Sequence, residues 1–383
     1  MHLGNRLSLF ILLVVLLLNI LVALLLLPNC LVIHSKLKVM DNTKEESTSE
    51  TDRPSSDQSL SSSPADTDNN LAIVTAISAN HLLEGVAMLR TLIAVQFKGP
   101  VFIFLMATNS GEDVSSRYDE FKEELLKSPL QLQFIDMEVQ SNTLNAGTYC
   151  FKPTAMGVYL RHNSLLPLHE TAKVVMWSDA STRFLQNPSM WANYMVQNDI
   201  DFIGRRTIWS IPQQTHVGTF EYFDMKPHDF DDHPSIASGH FLINLKREKS
   251  RMILHRWVDC GVLDCHTCMA PIGSSKRDPN GAKYKGRGND YVSHRQDQSV
   301  LTLLVTDYMK KYESTANVKI IRGPHPSAEA PYFCLQTMRS RGDIKSVKDW
   351  NTTFTTPPDA CKTPIGKILK ISSNGTIAWE DDK

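Results

Sequence analysis

The chain has 383 residues, 42% of them hydrophobic, enough for one large domain or two small ones. Its 40 basic and 41 acidic residues give a formal net charge of −1, which excludes a general electrostatic preference for nucleic acid. Partners must therefore be argued from local features.

The first informative stretch runs from Leu7 to Leu27 and is broken only by Ser8 and Asn19. Roughly 20 apolar residues cross a bilayer core as a helix, because backbone amides cannot stay unpaired in lipid. The run is longer than a signal-peptide core, and no small-x-small cleavage site follows Pro28. It predicts an uncleaved signal anchor over 7–27, with residues 1–6 as a cytosolic tail. Arg6 before the span and Lys36 and Lys38 after it do not decide orientation. The N-glycosylation sequons at Asn351 and Asn374 do, placing the C-terminal part in the lumen. Residues 28–70 read as a stalk. From Met40 to Asn70, Ser, Thr, Asp, Glu and Pro dominate, and such a segment cannot bury enough surface to offset its ordering entropy.

The folded part begins at Leu71. Leu71 to Ile77 reads as a buried parallel strand, and Leu82, Val86, Leu89 and Ile93 fall at helical spacing behind it. Val101 to Met106 is a second buried strand. A polar helix with Tyr118, Phe121 and Leu125 on one face follows, and Leu130, Leu132 and Phe134 alternate as a third strand. Next come a helix from Pro153 to Arg161, a strand from Lys173 to Trp177 and a strand from Gly239 to Leu245. A helix from about Lys246 to Val258, a helix from Asp297 to Lys311 and a strand from Val318 to Ile321 complete the series. Strand–helix–strand order implies an α/β fold: a mixed, mainly parallel sheet flanked by helices over 71–350. Residues 351–383 form an extension, with a hairpin whose tip carries Asn374-Gly375.

Six cysteines lie beyond the membrane-proximal Cys30: Cys150, Cys260, Cys265, Cys268, Cys334 and Cys361. In an oxidising lumen an even number suggests disulfides. The alternative is zinc, for which Cys260, Cys265, His266 and Cys268 offer ligands at close spacing.

Ligands of open α/β sheets bind beyond the carboxyl ends of the strands. The residues there are Ser78, Asn80 and His81 after the first strand, and Asp179 and Ser181 after the fourth. Ser238, Gly239 and His240 join them if their strand runs antiparallel. A rigid carboxylate at Asp179 suits Mg²⁺ or Mn²⁺ bridging to a diphosphate; the alternative is that Asp179 caps a turn. The motifs of a P-loop, a dinucleotide-binding turn and a nucleophile elbow are all missing.

Lys173 to Phe184, with Asp179 and Ser181 at its end, resembles the strand and short acidic motif of GT-A nucleotide-sugar transferases. Ser238 to Asn244 resembles their later Gly-containing strand. His294-Arg295-Gln296-Asp297-Gln298-Ser299 resembles the H-R-x-D-Q-S helix start of several glycosyltransferase-like families. The anchor, stalk and lumenal domain together look like a type II Golgi (or ER) glycosyltransferase. The resemblance spans roughly Leu71 to Ile321. It implies a GT-A-like, Rossmann-type fold and transfer of a sugar from a nucleotide-diphosphate donor to a glycan or glycoprotein acceptor. Asp179 matches the first acidic position of the D-x-D motif, while Ser181 replaces the second carboxylate and so weakens Mn²⁺ or Mg²⁺ binding. Ser78, Asn80, Gly239, His240, His294 and Arg295 are implied on the donor side. Asp297 is implied as an acceptor-side base, its alternative role being an N-cap. The Gly-rich basic loop from Lys276 to Arg295 suits closure over a departing diphosphate, or is a solvated loop. A silent lumenal binding protein on the same fold is the second reading.

Overall fold

The computed structural model describes residues 70–106, 114–137, 148–168, 170–271, 274 and 293–321, with short strands at 285–286, 289–290, 335–337, 367–371 and 377–381. The anchor and stalk expectations, both sequons, Cys30, Cys334, Cys361 and most of the basic loop lie outside the described residues. Among the described residues no helix is long and apolar enough to cross a membrane.

The first five elements are β1 (Leu71–Ser78), α1 (Leu82–Ala94), β2 (Pro100–Met106), α2 (Val114–Leu125) and β3 (Gln131–Met137). Then follow α3 (Phe151–Leu165), β4 (Val174–Ser178), β5 (Thr182–Phe184), α4 (Ser189–Gln197), β6 (Phe202–Ser210) and α5 (Val217–Tyr222). After them come β7 (Pro234–Asn244), α6 (Glu248–Val262), the two-residue strands β8 (Lys285–Gly286) and β9 (Asn289–Asp290), α7 (Asp297–Lys311) and β10 (Val318–Ile321). Last are β11 (Leu335–Thr337), which pairs with β5, and β12 (Lys367–Ile371), antiparallel to β13 (Ile377–Asp381).

The main sheet has the order β10-β6-β7-β4-β1-β2-β3. β7 runs antiparallel to both β4 and β6, and the other neighbouring pairs are parallel. The expected mixed, mainly parallel sheet is thus observed, and the strand through Gly239 is its reversed member, a direction the sequence had left open. Apolar residues alternate between two cores. Leu71, Ile73 and Ile77 of β1 join the core with Leu89 of α1, Phe121 of α2 and Trp191 of α4. Ala72 and Val74 join the other with Tyr159 of α3, Trp257 of α6 and Leu304 of α7. Burial on both faces explains why β1, β2 and β4 read as continuous apolar runs.

From β1 the chain moves outward to β2 and β3, then returns to lay β4 on the other side of β1. This reversal is a topological switch point, and in such sheets it opens a crevice at the strands' carboxyl ends. Behind the crevice, α3 and α6 pack closely. A Cβ at Gly261 would stand 2.0 Å from Pro153 Cγ, so only glycine lets the helices meet there. The disulfides Cys150–Cys265 and Cys260–Cys268 fix the same junction. Three sulfurs of the zinc alternative are therefore bonded to sulfur, and it is set aside.

Several elements differ from the sequence reading. α4, α5 and β6 are additional. β6 escapes an apolar-run search because Arg205 and Arg206 follow Phe202-Ile203-Gly204; its inner residues are buried and its outer half is not. β7 starts at Pro234 rather than Gly239, since its first residues pair with β6. β3 buries both faces, with Leu132 and Phe134 against one core and Ile135 and Met137 in the other.

Candidate active-site cleft

At the switch point lies a cleft of about 370 Å³, within the usual range of ligand sites. Ala76, Ser78 and His81 come from β1 and the turn after it, and Glu84 from the first turn of α1. Tyr149, Phe151 and Lys152 come from the start of α3, and Asp179, Ala180 and Ser181 follow β4. On the β1 side, Ser78 Oγ donates to Asn80 Oδ1 at 2.6 Å and lies 2.8 Å from His81 Nδ1. Asn80 itself is exposed.

Asp179 has no freedom to wander. Its amide donates to the Gly239 carbonyl at 2.7 Å, tying the end of β4 to β7. A Cβ at Gly239 would lie 3.3 Å from Asp179 Oδ2, so glycine lets β7 approach the carboxylate. Trp177 Nε1 donates to Oδ1 at 2.8 Å. The side chain is 34% exposed, so the carboxylate reaches the cleft.

Its main partner is Lys152, which the sequence reading passed over. Lys152 Nζ lies 2.9 Å from Asp179 Oδ1 and 3.3 Å from Oδ2. The same ammonium lies 3.0 Å from Asp297 Oδ2, and Lys152 and Asp297 are each only 4% exposed. The rings of Tyr149 and Trp177 flank it at 5.6 and 5.7 Å. Burial alone would lower the lysine pKa, but the two carboxylates outweigh it and hold the group above the ordinary range. The sequence shows its place in the first turn of a helix but not its burial. A lysine in the first turn of a helix opposes the macrodipole, so a buried one there asks for a carboxylate partner.

Asp297 opens α7, but the N-cap is Gln296, at φ 39°, and Asp297 is the first helical residue. Its carboxylate turns inward to Lys152 instead of capping. Burial raises its pKa against the pull of Lys152 and a hydrogen bond from Ser238. Asp297 is not on the cleft wall. A general base must reach the acceptor hydroxyl; the structure places the Asp297 carboxylate in an ion pair with Lys152, 4% exposed.

His294 is likewise inside. Its Nδ1 accepts from the His216 amide at 3.0 Å, and Nε2 donates to the Met269 carbonyl at 2.7 Å. Both nitrogens are engaged by main chain, and the ring is fully buried. Burial lowers its pKa to about 4. Arg295 is half-buried, and its amide donates to Gln214 O at 3.2 Å. His240 stands opposite Ser178 across the β4–β7 pair and is buried; burial first, then Arg205, lowers its pKa to about 4. Ser181 lines the cleft.

The donor set does not fit a divalent ion. Of residues 179 and 181 only Asp179 is a carboxylate, and both of its oxygens face the Lys152 ammonium. A divalent ion about 4 Å from that ammonium would be repelled by about 8 kcal/mol at an effective dielectric of 20. Among the described residues no group of three or more His, Cys, Asp or Glu is placed to hold a metal.

The sequence matches no family model and no curated protein. Among solved structures it is similar to galactosyltransferase LgtC in complex with donor and acceptor sugar analogues. The TM-score is 0.37 and identity 12%, covering 73% of this chain and 92% of that one. It is similar to core-mannan synthase A (CmsA/Ktr4) from Aspergillus fumigatus in its Mn/GDP form, at TM-score 0.34 and 8% identity, covering 67% and 76%. It is also similar to the bifunctional glycosyltransferase WbbM, at TM-score 0.31 and 10% identity, covering 50% of this chain and spanning only 34% of that one. These scores are low, and the geometry of the cleft carries the functional reading.

Proposed function

We propose that this chain is a glycosyltransferase that moves a sugar from a nucleotide-diphosphate donor to a glycan or glycoprotein acceptor. We place it as a single-pass type II protein of the Golgi or ER membrane, its C-terminal domain lumenal. The apolar run at 7–27, the sequons at Asn351 and Asn374 and the two disulfides support that placement.

One observation carries the chemistry: a held carboxylate, Asp179, faces a cleft at the switch point between β1 and β4. A nucleotide laid across those strand ends meets hydrogen-bonding groups at Ser78 and His81 on one side and at Asp179 and Ser181 on the other. Asp179 accepts from donor hydroxyls, and Gly239 and Trp177 hold it in place for that contact. Asp297 holds Lys152, and His240 pairs across the sheet with Ser178 at the end of β4.

A second reading, a silent binding protein, is favoured by Ser181 standing where a second carboxylate is expected. Calorimetric titration of the full-length chain with UDP and GDP, followed by a screen of nucleotide sugars for hydrolysis and transfer, separates the two. The transferase reading expects one nucleotide to bind, with at least about tenfold loss in Asp179→Ala. Binding without turnover of any nucleotide sugar supports the silent protein. No binding of any nucleotide sinks both.

A further inference from the structure

We infer that Lys152 is the resident cation of the cleft, standing where a divalent ion would stand, and that the cleft binds its anionic ligand without one. The identity of that ligand as a diphosphate rests on the transferase reading above; the placement of the cation does not.

The ammonium is held from every side. Asp179 lies at 2.9 Å and Asp297 at 3.0 Å. If Lys152 swung away, Asp297 would be left as a buried carboxylate without its counter-charge, which strongly disfavours such a movement. The main chain cannot retreat either. Cys150, two residues earlier, is bonded to Cys265, and Pro153, the next residue, is packed against Gly261. The faces of Tyr149 and Trp177 favour a singly charged ammonium between them. An incoming divalent ion would need Asp179 to release Lys152, and Ser181 offers it only a neutral oxygen in return. Lys152 also forms part of the cleft wall, so its charge is felt by a ligand lying there. Its charge is built into the fold and needs no loading from solution.

The test uses the full-length chain. Mn²⁺ uptake is read by electron paramagnetic resonance of the free ion, and UDP and GDP binding by calorimetry with either Mn²⁺ or EDTA. Wild-type protein should take up no Mn²⁺ at the cleft, and its nucleotide affinity should change by less than about twofold on adding EDTA. Lys152→Met bares the two carboxylates: it should gain Mn²⁺ uptake and, in EDTA, bind nucleotide at least about tenfold more weakly. Because that variant strands Asp297, Lys152→Met/Asp297→Asn provides a charge-balanced partner that should keep the nucleotide loss. Mn²⁺ uptake by wild type that disappears in Asp179→Asn would overturn the inference, as would a tenfold fall in affinity on EDTA. If no nucleotide binds at all, the transferase reading fails, and the Mn²⁺ comparison of wild type with Lys152→Met still decides the role of Lys152.

Discussion

The sheet has one edge where its parallel strands begin and another where they end; each holds an acidic group against a cation, and they do it differently. At the edge where β6 begins, Asp201 is fully buried. Arg247 Nε and Ser250 Oγ donate to its Oδ1, and Tyr308 OH and the Asn317 amide, at 2.9 and 2.8 Å, donate to Oδ2. Donors from α6, α7 and the approach to β10 saturate the carboxylate, so it stitches elements together and has no capacity left for a ligand. At the opposite edge Asp179 is a third exposed, and Asp297 is shielded from the cleft by the lysine the two share. A carboxylate closed on all sides serves the fold; one that shares its cation and keeps a face in a cleft is placed to serve chemistry.

The largest effect expected from this contrast is on stability at the closed end. Asp201→Ala leaves Arg247 and Tyr308 facing an apolar gap and should destabilise the protein by about 3–5 kcal/mol. Urea denaturation reads it as a fall in midpoint at unchanged slope. A loss below about 1 kcal/mol would mean that Asp201 is no more structural than Asp179.

The closed end also shows what could be read beforehand. The parallel strands, the strand through Gly239 and the start of α7 at Asp297 were legible because buried apolar runs and helical spacing are local signals, whereas the reversed direction of the Gly239 strand was not. Asp179 and Ser181 were legible because they directly follow such a run. Lys152 was not, since its meaning depends on Asp179 and Asp297, which are distant in sequence and meet it only after β4 returns beside β1. The surroundings of His294 were hidden for the same reason. Its motif marks the right helix start, but whether an imidazole faces ligand or main chain depends on Met269 and His216, which no spacing rule brings to it.

A middle-sized effect separates the edges by pH. His240, opposite Ser178 at the end of β4, and His294, at the approach to α7, are each lowered from 6.5 to about 4, chiefly by burial. Between those values the unfolded chain binds protons that the folded chain refuses, so stability is complete above about pH 6.5 and falls as pH drops toward 4. The loss is on the order of 3 kcal/mol per histidine. His294→Gln should flatten part of this acid limb while lowering stability at pH 7. Asp201→Ala should shift the whole curve down and keep the slope that the histidines set. Urea midpoints taken from pH 7 to 4.5 decide between them; equal slopes in wild type and His294→Gln would remove His294 from the account.

The smallest stability effect should come from the residue most important to the cleft. In Asp179→Asn the amide oxygen can still accept from Trp177, and Lys152 keeps Asp297 as its counter-charge. What is lost is half of an ion pair that is partly in solvent, so the change should stay within about 1 kcal/mol. Ligand binding should nevertheless fail, because the remaining neutral oxygen attracts donor hydroxyls more weakly than a carboxylate does. Stable folding with lost binding would mark the open edge as functional. A collapse in stability matching that of Asp201→Ala would instead make the two edges alike, with Asp179 a second structural stitch.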